Sequence, residues 1–326
     1  MRFASAFVGV FFLAAACGEM PPSRVAAPDP AHLAVAIPTA PPFDVDGEIA
    51  RLRVALIHEV PGLIADPPDS ERRWIAQTQT AFQGSGYSVA NPQLMVVVDR
   101  NPGVQEMRII LARPSGSWQS LGGTKTSTGQ VGRRAHYLTP TGVFLHTGAI
   151  LDWRAEGTFN VQDIRGLGLK GMRVWDFGWQ QAERGWGAAG EQSEIRLLLH
   201  ATDPDYLEQR LGRPASKGCI RIPAAMNRFL DRHGVLDADY ERAAKVDRRY
   251  EALLLLDRNP TPLAGNALII IDSRLPLPTK ISDRPAIMAM ATLTTLRQSC
   301  CRRSARTLKS FGRCLTGKQN KPRGRP

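Results

Sequence analysis

The chain has 326 residues, enough for one or two domains with a hydrophobic core, and 43% of them are hydrophobic and 22% charged. This composition excludes a fibrous or wholly disordered chain. The formal net charge is +12, but a stretch from Arg297 to the C-terminus carries +10 of it and contains no acidic residue. Residues 1–296 therefore carry about +2. We expect no nucleic-acid partner for a body so close to neutral.

The N-terminus predicts export. One positive charge at Arg2 precedes an apolar run over residues 3–16. This run is shorter than the ~20 residues that span a bilayer, and it ends in small side chains. Residues 1–17 are therefore predicted to be a signal peptide, which places the chain in the periplasm or cell envelope.

Cys17 follows three alanines and resembles the lipidation site of a bacterial lipoprotein. Lipidation would anchor the chain to a membrane, most naturally the outer one. Leu13 lies four residues before the cysteine rather than three, so cleavage by an ordinary signal peptidase stays open as the alternative.

Two segments precede the main domain. Residues 18–45 are rich in proline and alanine, which predicts an extended linker. Residues 46–92 form an N-terminal extension that is partly helical. Within it, the spacing of Trp74, Thr78 and Phe82 predicts a helix over residues 70–82.

Residues 93–273 have a β-rich pattern. An apolar run over residues 94–98, a turn signal and a second run over residues 107–112 predict an antiparallel pair. Further strands are predicted at 143–146, 194–200, 252–260 and 266–272, and a helix at 223–233. We expect a small, flexible segment over 122–132, and irregular loops over 151–190 that four tryptophans pack into a cleft wall. The predicted fold class is mainly β with a few helices.

Residues 274–326 form a basic tail in which we expect loss of order. The tail is predicted to be either a solvated arm or a segment that binds anionic envelope polymers or lipids.

Cys219 is the only cysteine between residues 18 and 299, so it has no disulfide partner within the body of the chain. A thiol attacks as the thiolate, which requires a neighbouring base or a lowered pKa. His200 ends a predicted strand 19 residues upstream, and turn signals in between can bring the chain back. On spacing alone, a small buried cysteine and a structural histidine remain the alternatives.

The residues around this pair resemble the active-site motif of the L,D-transpeptidases, the YkuD-type peptidoglycan enzymes. His200-Ala201-Thr202 is followed, after an interval of the same kind as in the family, by Ser216-Lys217-Gly218-Cys219-Ile220-Arg221. Upstream, LMVVVDRNP, TSTGQVG and TPTGVF resemble the opening strand, the glycine-rich turn and the Thr-Pro-x-Gly-x-Phe segment. The resemblance covers roughly residues 93–235 and implies a β-sandwich or barrel-like catalytic domain.

The resemblance implies catalytic roles by position. Cys219 is expected to be the nucleophile and His200 the base that activates it and then protonates the leaving amine. The Ala201 carbonyl is expected to orient the histidine. The N–H groups of Gly218 and Cys219 are expected to form the oxyanion hole.

Other motif positions are expected to bind substrate or shape the site, and they are Ser216, Thr202, Lys217 and Arg221. Arg221 is expected to hold either the loop or an anionic substrate group, with a structural ion pair as the alternative. The segment 139–142 is expected to shape the cleft.

Lys217 departs from the family, which usually has a second histidine there. A lysine does not shuttle protons near neutral pH unless its pKa is strongly lowered, but its charge can stabilise a thiolate. The chain is thus expected to be either a working enzyme with an electrostatic substitute, or a weakened or inactive homologue that only binds the cell wall.

The implied reaction is acyl transfer on peptidoglycan stem peptides through a cysteine thioester. Resolution by water would make the chain an L,D-carboxypeptidase, and the sequence does not separate the two. No cofactor or metal is expected, because the six histidines show no ligand spacing and Cys300-Cys301 with Cys314 lacks a two-pair zinc pattern.

Overall fold

The structure is a computed structural model that describes residues 43–275 of the chain. The predicted signal peptide, Cys17, nearly all of the predicted linker and the basic tail beyond Leu275 lie outside the described residues. No helix within the described range is long and apolar enough to cross a membrane.

Five helices and nine strands occur in residues 43–275. The helices are α1 (Val45–Glu59), α2 (Pro68–Gln83), α3 (Ala224–Arg232), α4 (Ala238–Ala244) and α5 (Arg248–Leu253). The strands are β1 (Gln93–Asp99), β2 (Glu106–Ala112), β3 (Gln119–Lys125), β4 (Gly142–Leu145), β5 (Trp153–Arg154), β6 (Arg173–Glu183), β7 (Gln192–Ala201), β8 (Ile220–Ile222) and β9 (Ala267–Ile271). A 3₁₀ turn covers Glu208–Arg210.

The strands form two mixed sheets. The first has the order β3-β2-β1-β9-β4 and the second the order β5-β6-β7-β8. The pairs β1–β9 and β7–β8 are parallel, and all other neighbours are antiparallel. Neither sheet closes into a barrel. The prediction of a mainly β fold with a few helices is confirmed at this level.

The central strand β1 shows why this chain has continuous apolar runs. All of residues 94–98 are buried. Val96 and Val98 belong to the core between the elements of both sheets, whereas Met95 and Val97 pack in a second cluster with Trp74 of α2. A strand that is covered on both faces needs apolar side chains at every position.

One core joins the two sheets. Besides β1, β2 and β9, it contains Leu197 and Leu199 of β7 and Ile220 and Ile222 of β8. Helix α1 adds three residues and α3 adds three more, so the N-terminal extension and the strands share this core. Because these residues of β7 and β8 point inward, the alternate residues of both strands point to the opposite face of the second sheet.

Three predictions of local structure are wrong. The segment 151–190 is not all irregular, because it contains β5 and the eleven-residue strand β6. The apolar run within 252–260 is not a strand. It begins in the last turn of α5 and continues past the end of this helix, whose first turn Asp247 caps at the opposite end by accepting a hydrogen bond from the Arg249 N–H.

The third wrong prediction is the flexible segment over residues 122–132, whose first glycines lie in β3. A Cβ atom at Gly123 would lie 1.7 Å from the Met107 carbonyl oxygen. Glycine at this position therefore serves close strand packing rather than flexibility.

Candidate active site

The outward face of the second sheet carries a row of four paired residues. Trp153 pairs with Val174, Val174 with His200, and His200 with Arg221. Residues directly opposite each other on neighbouring strands share a face of the sheet. The imidazole of His200 and the guanidinium of Arg221 therefore lie side by side on this face.

Cys219 immediately precedes β8 and lies on the same face as Arg221. Ile220 and Ile222 are fully buried in the core, so strand alternation turns residues 219 and 221 outward. Leu199 pairs with Ile220, which places Cys219 beside Leu198, two residues along the strands from the His200–Arg221 pair. The parallel ladder thus brings together two residues that are 19 positions apart in the sequence.

The Cys219 side chain is a free, half-buried thiol. Its Sγ donates a weak hydrogen bond to the Arg196 carbonyl oxygen at 3.7 Å. Burial raises the pKa of the thiol, while a backbone hydrogen bond from Leu198 and the charge of Arg221 act in the opposite direction. The resting side chain is therefore the protonated thiol near neutral pH.

His200 is a buried, neutral base. Its Nδ1 lies 2.7 Å from the Ala201 carbonyl oxygen, which only accepts hydrogen bonds. Nδ1 therefore carries the ring proton, and Nε2 has a free lone pair. Burial, with a smaller contribution from the charge of Arg221, lowers the pKa of His200 to about 4, although the Ala201 hydrogen bond opposes the shift. No hydrogen bond joins His200 and Cys219 in residues 43–275.

Ser216 holds the turn that carries the cysteine. Its Oγ accepts a hydrogen bond from the Gly218 N–H at 3.0 Å and donates one to the Cys219 carbonyl oxygen at 2.5 Å. Gly218 has φ +131°, and a Cβ atom there would lie 2.9 Å from Ile195 Cδ1. Only glycine fits this position without strain.

This turn changes the expected oxyanion hole. The Gly218 N–H is already engaged by Ser216, so it is not free to meet an oxyanion, which differs from the expectation that both N–H groups serve. The Cys219 N–H has no hydrogen-bond partner within the described range. It is the preformed donor beside the thiol.

Thr139, which lies just before β4 of the first sheet, supports the same turn. Its Oγ1 donates to the Gly218 carbonyl oxygen and accepts from the Gly129 N–H, both at 2.8 Å. Thr139 is the first residue of segment 139–142, which was expected to shape the cleft. The TPTG motif pointed to the segment, but the contact with Gly218 depends on the tertiary structure.

Arg221 is an unpaired cation within the site. Its Nη1 donates to the Ala215 carbonyl oxygen at 3.4 Å, and its buried Nε has no partner. No carboxylate within residues 43–275 forms an ion pair with it. Burial lowers the pKa of the guanidinium. An unsatisfied, desolvated cation beside a thiol is suited to an incoming anionic group.

Lys217 and Thr202 have smaller parts in the geometry. Lys217 is exposed, and its backbone carbonyl accepts the Tyr137 N–H at 3.2 Å. Arg221, rather than Lys217, is the cation that acts on the Cys219 pKa. Thr202 is buried, and its N–H donates to Ile222 in the β7–β8 ladder, so it fixes the strands.

Sequence reasoning missed a second group on this face, centred on Arg196. Its guanidinium binds the buried Asp176 carboxylate at 2.6 Å and lies about 6 Å from the ring centres of Trp153 and Trp179. The Arg196 carbonyl is the acceptor of the Cys219 thiol. The alternation of residues 194–200 could have placed Arg196 on the face of His200. Its partners Asp176 and Trp179 could not have been identified, because β6 was not predicted to be a strand.

Within residues 43–275, no group of three or more His, Cys, Asp or Glu side chains is placed to hold a metal ion. No model of a known protein family matches the chain. A comparison with curated proteins also gave no match.

Proposed function

We propose that this protein is a cysteine acyltransferase of the L,D-transpeptidase (YkuD) type that acts on peptidoglycan stem peptides. The observation that carries the proposal is the pairing of β7 with β8. It puts a thiol, a neutral imidazole with a free Nε2 and an unpaired guanidinium on one face. Under this proposal the two sheets correspond to the family's β-sandwich, which is supported by the core that they share.

The first step transfers the Cys219 proton to His200 Nε2 as the thiolate attacks the peptide carbonyl. The thiol must first leave the Arg196 carbonyl and turn toward His200, which lies on the same face of the sheet. The carbonyl oxygen becomes an oxyanion, and the Cys219 N–H stabilises it. His200 then protonates the leaving amine, and a thioester remains on Cys219.

In the second step an amine attacks the thioester, and His200 accepts the proton of this amine. The amine belongs to a second stem, and the product is a new amide with the thiol restored. Water attacking the same thioester gives the carboxypeptidase outcome. Both routes use the same residues.

The electrostatics of the resting site bear on its rate. The pKa of His200 is lowered and that of Cys219 is raised, so the free enzyme holds a neutral pair rather than a thiolate–imidazolium pair. Arg221 favours the thiolate. An anionic substrate group at Arg221 would weaken this effect, and it would also make His200 a stronger base.

A non-catalytic wall-binding protein is the second candidate. It is favoured by the thiol's hydrogen bond to Arg196 and by the lack of any hydrogen bond between Cys219 and His200. In such a protein the site would recognise stem peptides without cleaving them.

Incubation of the purified chain with a tetrapeptide stem tests both candidates. The enzyme releases D-Ala, loses this activity in Cys219→Ala, and forms a covalent adduct of matching mass with a carbapenem. Stem binding without D-Ala release and without an adduct would support the non-catalytic candidate. Adding a second stem as acceptor then separates a cross-linked product from simple hydrolysis.

A further inference from the structure

A cleft of about 630 Å³ lies along the edge of the second sheet, beyond the candidate catalytic pair. Trp153 of β5 lines one side of it, and residues of the segments 154–160 and 166–168 form its wall. Three of its lining residues are aromatic or aliphatic, and four carry polar side chains, of which Arg154 is already ion-paired with Asp231. They are Trp153, Phe159 and Leu167, and Arg154, Glu156, Thr158 and Asn160.

The polar groups of this cleft are partly free. The Asn160 Oδ1 is used within its own turn, where it accepts the N–H groups of Gln162 and Ile164. Glu156 and Thr158 are exposed, and neither side chain has a hydrogen-bond partner within the described residues. An indole next to a free carboxylate and a free hydroxyl suits a ring with one C–H face and several hydroxyl or amide groups.

The wall of the cleft is fixed against the strand that carries His200. The Arg165 N–H donates to the buried Asp203 carboxylate at 2.7 Å, and the Arg165 guanidinium lies 4.2 Å from the centre of the Phe159 ring. At Gly168, a Cβ atom would lie 2.7 Å from the Cβ of Ala201. The wall of the cleft is thus packed directly against the strand that carries the candidate active site.

The distance between the thiol and the cleft matches a substrate length. Cys219 lies at β8 and Trp153 at β5, three strand spacings apart, which is ~14 Å across the sheet. Three extended residues and the lactyl link of a peptidoglycan stem span about four residue lengths, ~14 Å. A stem with its scissile carbonyl at Cys219 that runs over Arg196, rather than over the fully buried Val174, would therefore bring its sugar to Trp153.

We propose that this cleft binds the amino-sugar ring of the glycan strand to which the donor stem is attached. The inference rests on the proposed function for the identity of the donor. The C–H face of the pyranose packs on the Trp153 indole, and its hydroxyl and acetamido groups bond to Glu156 and Thr158.

The experiment compares two donors on the full chain, a free tetrapeptide and the same tetrapeptide on its disaccharide. We expect the disaccharide donor to have a KM at least tenfold lower. Trp153→Leu should lower kcat/KM for the disaccharide donor at least tenfold more than for the free peptide, and Glu156→Gln and Thr158→Val about threefold more each. Equal effects on both donors would overturn the inference.

Two controls keep the outcomes separate. Trp179→Ala removes an exposed indole from the same face but outside the cleft, and it should affect both donors alike. Binding of the peptide-free disaccharide to Cys219→Ala, followed by NMR or calorimetry, tests the cleft without chemistry. If neither donor releases D-Ala, the proposed function fails, and disaccharide binding lost in Glu156→Gln still supports the cleft. If the peptide reacts and the disaccharide does not bind, only the cleft fails.

Discussion

His146 and His200 are both buried histidines at the ends of strands, and both bond through Nδ1 to a backbone carbonyl. The distances are 2.8 Å from His146 to Leu236 and 2.7 Å from His200 to Ala201. Their second nitrogens differ. His146 Nε2 lies 2.9 Å from the Asp152 carboxylate, whereas His200 Nε2 has no bonded partner in residues 43–275.

The partner of the second nitrogen decides the charge of each ring. The Leu236 carbonyl and the Asp152 carboxylate only accept hydrogen bonds. Both ring nitrogens of His146 therefore carry protons, and the ring is an imidazolium. Burial opposes this charge, but the Asp152 and Asp237 carboxylates and the Leu236 hydrogen bond together outweigh burial and raise the pKa of His146. At His200 no carboxylate opposes burial, so burial lowers the pKa, and the neighbouring cation Arg221 adds to the shift.

The two histidines therefore have different uses. His146 follows β4 of the first sheet and, through Asp152, is joined to Arg173 of β6 in the second sheet at 2.8 Å. It belongs to a fully buried ionic cluster that ties the sheets together. His200 stays neutral and keeps a lone pair directed at the outward face. A charged histidine is suited to structure, and a neutral one with an open nitrogen is suited to proton transfer.

The largest expected effect is on activity at His200. His200→Gln should lower kcat/KM for D-Ala release by about 10²–10⁴-fold, because it removes the proton acceptor. At neutral pH it should lower the free energy of unfolding by only about 1 kcal/mol, because one buried hydrogen bond to a carbonyl is lost. His146→Gln should leave the activity per folded molecule close to wild type. An activity loss of the same size in both variants would erase the distinction.

The next effect is on stability at His146. His146→Gln should lower the free energy of unfolding by about 3–5 kcal/mol, because it leaves the Asp152 carboxylate with less compensation in a buried cluster. Urea unfolding measures this. His136→Gln is the matched control, since His136 is buried and bonds through Nδ1 to a carbonyl without a carboxylate. It should cost about 1 kcal/mol.

The pH dependence of stability should have opposite signs at the two sites. The His146 contribution is complete below the unfolded pKa of 6.5 and is lost as pH rises through its raised folded pKa. The His200 contribution is present above 6.5 and is lost as pH falls toward about 4, a change of about 3 kcal/mol. Unfolding free energies of wild type, His146→Gln and His200→Gln across pH 4–9 isolate each contribution. Curves of the same sign would contradict the comparison.

A smaller effect, on the pH dependence of kcat/KM, is expected when Arg221 is replaced. In wild type the acid limb of kcat/KM should lie near pH 4, the pKa of His200. Arg221→Met removes the neighbouring cation, so the acid limb should move to higher pH and the rate at neutral pH should fall. Arg228→Met, on the exposed side of α3, is the control that should leave the limb in place. An unmoved limb in Arg221→Met would mean that burial alone sets the pKa of His200.

The smallest effect is expected at Lys217. Because its side chain is exposed, solvent and salt screen its charge, and Lys217→Gln should change kcat/KM by no more than roughly threefold. Lys217→His tests the family residue at the same position. A gain of tenfold or more in Lys217→His would show that the lysine limits the reaction.

The pair Cys219–His200 was predictable because its motif is local in sequence and resembles a known pattern. The strands that hold it were partly predictable, since the apolar runs at 94–98, 107–112 and 194–200 are each short, bounded and β-branched or leucine-rich. Strand β6 was missed because its glycine and its tryptophans resemble a loop. The glycine Gly178 sits at an irregularity in the β6–β7 register, where φ is +77°.

The sequence by itself determined which residues were candidates for chemistry, because His200, Gly218 and Cys219 form a motif that can be recognised from their order and spacing. Only the tertiary structure decided their protonation. Charge in a buried group depends on what surrounds it, and the neighbours of His200 and His146 come from strands and loops distant in sequence. For that reason two histidines that look alike in the sequence have opposite electrostatic character in the fold.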